Sequence, residues 1–86
     1  MPGITRKSLD SAGGVLIEGS PNVFVNNASA VRIGDAVQGH GEPPHDSPVM
    51  ATGSSTVFVN GIGVCKEGDL ATCGHPSTGS SDVFAG

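Results

Sequence analysis

Three histidines and one of the two cysteines stand in two short stretches, His40 and His45 in the first, Cys73 and His75 in the second. Neutral imidazole and thiolate are the donors that suit Zn²⁺, which takes four of them tetrahedrally at about 2.0–2.3 Å. Each stretch follows a Gly-Asp pair, Gly34-Asp35 or Gly68-Asp69, so every histidine lies at the same point of a recurring pattern. Gly39, Gly41 and Gly74 are expected to let the backbone turn beside the ligands. Pro43, Pro44 and Pro76 are expected to stiffen the same loops. A catalytic zinc normally has three protein ligands and an open position for water. Four candidate ligands therefore predict a closed, structural site. Asp46 beside His45 reads as a solvated loop acid, and no Ser-His-Asp or Cys-His nucleophile arrangement stands out, so the chain does not read as an enzyme. The reading without a metal makes the histidines exposed loop residues and Cys73 a small buried one.

The loops that carry these residues recur because the chain repeats. Gly19-Ser20-Pro21-Asn22-Val23-Phe24-Val25-Asn26 returns as Gly53-Ser54-Ser55-Thr56-Val57-Phe58-Val59-Asn60, and again as Gly79-Ser80-Ser81-Asp82-Val83-Phe84-Ala85-Gly86. All three Phe fall in one slot. The first two copies continue through Ala28–Asp35 and Ile62–Asp69. The third lacks that half, and Pro2-Gly3-Ile4-Thr5-Arg6 followed by Asp10 resembles it, with one extra residue before the Asp. The expectation is a circle opened inside one repeat, with the termini adjacent. Around it the Phe spacings are 34, 26 and, through the termini, 26 residues. The longer span holds eight extra residues, a loop insertion in the stretch that contains His40 to Pro48. The third equivalent loop, Asp10-Ser11-Ala12-Gly13-Gly14, has no ligand. Cys65 stands where Val31 and Thr5 stand in the other copies and reads as a small buried residue.

Each unit is too short to bury a face alone, but three about an axis can share one. Residues 22–26 and 56–60 read as strands, rich in Val and Phe and bounded by Gly, Ser and Asn. Asn60-Gly61 is a strong two-residue hairpin signal and Asn26-Asn27 a weaker one. Val23 and Val25 are expected on one side and Phe24 on the other, one side for the core and one for a partner. No window carries a helical period. The predicted fold is all-β with pseudo-threefold symmetry, in a single domain over residues 1–86.

Composition narrows the function. The chain has 86 residues, 36% of them hydrophobic, with 14 Gly and no Trp or Tyr. So thin a core usually needs a metal, disulfides or a partner, and two Cys make no disulfide framework. The net charge is −4 and the only basic residues are Arg6, Lys7, Arg32 and Lys66. Nucleic-acid binding needs a basic patch, and none is visible. Apolar runs reach three residues, as in Val15-Leu16-Ile17, so neither a membrane span nor a signal peptide is expected. Any export would then use a device that does not read an N-terminal signal. Arg6, Arg32 and Lys66 occupy one repeat position and are expected to pair with local acids or meet a partner.

The pattern Gly-Ser-x-x-Val-Phe-Val-Asn, then a short apolar return ending in Arg or Lys and Gly-Asp, resembles the PAAR-repeat proteins. The family's Pro-Ala-Ala-Arg would fall at Ser29-Ala30-Val31-Arg32, Gly63-Val64-Cys65-Lys66 and Gly3-Ile4-Thr5-Arg6, and none of the three matches fully. The resemblance implies a small cone of β-hairpins that caps a trimeric β-helical spike, one chain per trimer. The machines are type VI secretion systems and related phage-like contractile injection systems. The family places one structural Zn²⁺ near the apex, held by three His and one Cys, a set that His40, His45, Cys73 and His75 match. Iron is the less favoured metal. The expected role is to help the spike breach a target envelope, without chemistry and without stable membrane insertion. Such a protein is made in the bacterial cytoplasm and delivered from the tip of a secretion apparatus or phage tail. With no room for a toxin domain, the chain reads as a bare tip, any effector being carried by another component. The alternatives are a zinc-stabilised interaction module with no injection role and, less favoured, a metalloenzyme.

Overall fold

Short strands and tight turns build the protein. The computed structural model describes residues 2–85. Among them are three antiparallel hairpins: β1 (Ser11–Ala12) with β2 (Gly14–Val15), β3 (Phe24–Val25) with β4 (Ala28–Ser29), and β5 (Phe58–Val59) with β6 (Ile62–Gly63). No helix occurs among the described residues. Asn26 and Asn27 take φ of 53° and 66°, and Asn60 and Gly61 take 55° and 75°. Two successive positive φ values make the hairpin turn whose twist matches its strands. Asn and Gly tolerate that region where branched residues do not. The β1–β2 hairpin, which turns at Gly13, was not expected from the sequence.

The regular pairing is shorter than the 22–26 and 56–60 strands read from composition. The cause is a serine at the head of each copy. The Ser20 hydroxyl accepts the Asn22 and Val23 amides at 3.2 and 3.0 Å, and the Ser54 hydroxyl accepts those of Thr56 and Val57 at 3.1 and 2.8 Å. Ser80 does the same for Asp82 and Val83 at 3.2 and 3.0 Å. These local bonds hold the chain in a turn until the residue before Phe. Val23 therefore does not share the core face of Val25: Val25 is 6% exposed, Val23 37% and Phe24 60%.

Gly3 pairs antiparallel with Phe84, as Ser29 pairs with Phe24 and Gly63 with Phe58. The Ile4 amide donates to the Val83 carbonyl, the Ser80 amide to Ile4 and the Ala85 amide to Pro2, at 2.9, 2.9 and 3.0 Å. Met1 and Gly86, the ends of the expected repeat, lie outside the described residues. Deeper in, the Val31 amide donates to Thr5, Cys65 to Val31, and Thr5 to Cys65, at 3.0, 2.8 and 2.9 Å. Single bridges follow the same cycle, Arg6 with Ala30, Arg32 with Val64, and Lys66 with Ile4. A cycle of this kind ties each copy to both of the others.

The core has two layers, and neighbouring residues feed different ones. Val25, Val59 and Ala85 join Ala30 and Val64, with Ile4 against them, in a layer that repeats threefold. Ala12, Leu16, Val31, Val37, Met50, Cys65 and Ala71 form the other layer, against which Cys73 packs.

The three repeat-related cations pair with local acids, Arg6 with Asp10 at 2.7 Å, and Arg32 with Asp35 and Lys66 with Asp69 at 3.0 Å. The extra residue in the first copy lets Ser8, at φ 69°, stand where Gly34 and Gly68 turn in the others. Burial disfavours the Asp10 carboxylate, but bonds from the Arg6 side chain, the Thr78 hydroxyl and the Arg6 amide outweigh it and hold its pKa below the ordinary 3.8. A depressed folded-state pKa stabilises the fold fully above the unfolded value, and the contribution is lost as pH falls through the folded one. Asp10→Asn is expected to cost about 1–3 kcal/mol at pH 7. Its melting-temperature deficit against the parent should shrink as pH drops below 4. A deficit constant from pH 7 to pH 3 would refute the assignment.

Candidate metal centre

Two loops rise from the ligand-side core layer, and each is clamped at its base. Val37 bridges Leu16, and the Gln38 amide donates to Val15 at 2.8 Å, which aims the chain toward His40. The insertion then folds back on itself. The His45 amide donates to Glu42 at 2.7 Å and the His40 amide to His45 at 2.8 Å, so His40 and His45 face one point. In the second loop the Ala71 amide donates to His75 at 3.0 Å and the Gly74 amide to Ala71 at 2.9 Å. Gly74 takes φ 90°, and this turn brings Cys73 and His75 to the same side.

The four side chains meet. His40 Nε2 lies 3.1 Å from His45 Nδ1 and 3.0 Å from His75 Nδ1. Cys73 Sγ lies 3.8 Å from His40 Nε2 and 3.7 Å from His75 Nδ1. All four ligand atoms lie within 4.8 Å of one another. Donors bound tetrahedrally at zinc distances would stand about 3.3–3.6 Å apart, so the cluster has the right size for one ion. His40 Nδ1 is 3.1 Å from the Gln38 carbonyl. A carbonyl only accepts, so Nδ1 carries the proton and Nε2 presents its lone pair inward, the usual outer-shell support of a ligating histidine. Three imidazoles and a cysteine sulfur, with no carboxylate among them, match a borderline-soft ion and not the oxygen-seeking Ca²⁺ or Mg²⁺.

Residues read from the sequence sort clearly. Asp46 is exposed, as a solvated loop acid should be. Cys65 is fully buried, outside the cluster, and donates to the Thr52 carbonyl at 3.4 Å. Burial first, then Asp69 and Asp35, push its thiol up to about 12, so it stays protonated. Gly39 and Gly41 have no positive φ among the residues where it occurs. At Gly39 the need is close approach, since a Cβ there would stand 2.3 Å from the Asp46 carbonyl oxygen. The sequence reading missed Gln38, whose carbonyl orients His40, and the Gly13-Gly14 pair, which packs against the histidines. Backbone groups leave no residue-type signal. The doubled glycine was visible, but only as a loop without a ligand.

Comparison with known proteins adds an independent line. A family model described as the PAAR motif matches residues 8–78. The chain is 41% identical over 81 residues to the NAD(P)(+) glycohydrolase toxin Tse6 of Pseudomonas aeruginosa, covering 85% of this chain and 19% of that one. It is equally identical over 81 residues to the (p)ppApp synthetase toxin Tas1 of a second strain of that species, with coverage of 85% and 18%. It is 36% identical over 80 residues to the double-stranded DNA deaminase toxin A of Burkholderia cenocepacia, with coverage of 91% and 6%. The chain thus spans less than a fifth of the length of each of these relatives.

Proposed function

Because the chain belongs to the PAAR-motif family, we propose that it is the sharp tip of a trimeric β-helical spike, one chain seated on three. The observation that carries this reading is an apolar face repeated three times. Phe24, Phe58 and Phe84 are 60, 57 and 48% exposed, and Val23, Val57 and Val83 beside them 37, 37 and 36%. Exposed aromatic and aliphatic pairs at three equivalent positions on so small a protein mark an interaction surface. A threefold-symmetric partner offers three equal surfaces to three equal hairpins. On this reading residues 1–86 are one domain of three motif copies, the N-terminal segment completing the third.

His40, His45, Cys73 and His75 hold one structural zinc at the free, apical end. The ion ties the two loops together and supplies no reaction. The protein acts by shape, helping a spike driven by a type VI secretion system or phage-like contractile machine to breach an envelope. It is made in the bacterial cytoplasm and leaves on the spike. No helix among the described residues is long and apolar enough to cross a membrane. The relatives are named as toxins, but the matched region is a small part of each. We assign the tip role to the region that these relatives share with the chain.

Mixing the protein with its cognate spike should give a 1:3 complex by native mass spectrometry. Phe58→Asp should weaken that complex about 30-fold or more, the loss of an aromatic anchor. A reproducible 3:3 complex, or no binding to any cognate spike, would count against the proposal.

A further inference from the structure

We infer that Gly13, in the ligand-free loop, is the residue that lets the metal centre close. The inference rests on the metal reading above and concerns the side of the site that supplies no donor. Gly13 has φ 86°, and a Cβ on it would stand 1.9 Å from His75 Nδ1, 2.7 Å from His40 Nε2 and 2.8 Å from His75 Cε1. The first two are the inward nitrogens themselves. No carbon occupies such positions, so any side chain at 13 must push one ring or both off the point where the four donors meet. Metal–ligand distances hold only within about 0.2 Å, and relief of this clash needs several times that.

Gly14 guards the same wall from behind. A Cβ on it would lie 2.2 Å from the Gln38 carbonyl oxygen and 2.9 Å from His40 Nδ1, the two atoms of the bond that orients His40. The Ala12 carbonyl, on the same hairpin, lies 3.9 Å from Cys73 Sγ. The ligand-free loop therefore gives the site its backbone wall, while the insertion loop and the Cys73–His75 loop supply two donors each. Gly34 isolates this role from backbone strain: it has φ 92°, and a Cβ on it would meet nothing within 4 Å. Gly34→Ala thus carries the same left-handed penalty without touching a histidine.

The test loads each variant with Co²⁺, whose absorption reports thiolate coordination and tetrahedral geometry, and measures zinc affinity by chelator competition. The wild type and Gly34→Ala are expected to bind about one ion per chain with the same spectrum. Gly13→Ala is expected to lose at least about 100-fold in affinity and the tetrahedral spectrum. Gly14→Ala should lose about 10–100-fold, the range for a lost outer-shell bond. If Gly13→Ala matches Gly34→Ala in both readouts, the inference is overturned. If it cannot be purified, Gly14→Ala decides, an unchanged affinity overturning the wall and a loss in that range supporting it. A wild-type chain that takes up neither ion overturns the metal reading itself, an outcome distinct from failure of the wall.

Discussion

Chelating the metal out of the protein is expected to lower its melting midpoint by roughly 20 °C or more, or to abolish the cooperative melt altogether. The layer beneath the ligands contains only two large aliphatic side chains, Leu16 and Met50; the rest are Val, Ala and Cys. A structural zinc contributes an apparent ~10–16 kcal/mol to folding. Whole domains are stable by only about 5–15 kcal/mol, and small ones lie at the bottom of that range. The metal term is thus as large as the net stability. His75→Ala should act in the same direction, because it removes the donor that His40 Nε2 and Cys73 Sγ both face. Elemental analysis should find about one zinc per chain in the parent and far less in the variant. A chelated protein that melts within a few degrees of the loaded one would end the structural-metal reading. So would undiminished zinc in His75→Ala.

Deleting residues 2–5 should be as damaging, for a reason unrelated to the metal. The segment is short, but partners on two sides depend on it. Without it the amides of Val31, Glu67, Ser80 and Ala85 lose their acceptors, and the carbonyls of Cys65 and Val83 lose their donors. Val31, Ser80 and Ala85 are buried, so water does not easily replace the missing partners. Each buried orphan costs about 1–3 kcal/mol. The fully buried Thr5 goes as well, with its hydroxyl bonds to Ser77 and to the Thr78 carbonyl at 3.0 and 2.8 Å. The deleted protein is expected to show no cooperative melt, and a synthetic peptide of residues 1–8 added in trans should restore one. A deletion variant that melts cooperatively within about 5 °C of the parent would show that the segment is an ornament.

These expectations depend on features that differ in how visible they are along the chain. Asn26-Asn27 and Asn60-Gly61 announce their turns because tolerance of positive φ belongs to the residue type, and the fold respects it. The three Phe announce their equivalence by spacing alone, and all three stand exposed beside matching partners. The four residues that cluster as candidate donors were legible by type and by their place after the Gly-Asp turns. The strand lengths were not, because a serine hydroxyl that captures two amides competes with the ladder, and composition shows both tendencies without ranking them.

Local preferences of residues and their spacing thus dictated the copies, the turns and the identity of the candidate donors. These are short-range properties, present in any stretch of chain. What the fold alone settled is which atoms meet. His40 and His75 come within 3.0 Å of each other across 35 positions. Cys65 sinks into the core as a protonated thiol while Cys73 turns toward the histidines. Gly13 leaves the space that their rings fill. Those outcomes depend on backbone placement and on excluded volume between distant segments, and neither is written in the type of any single residue.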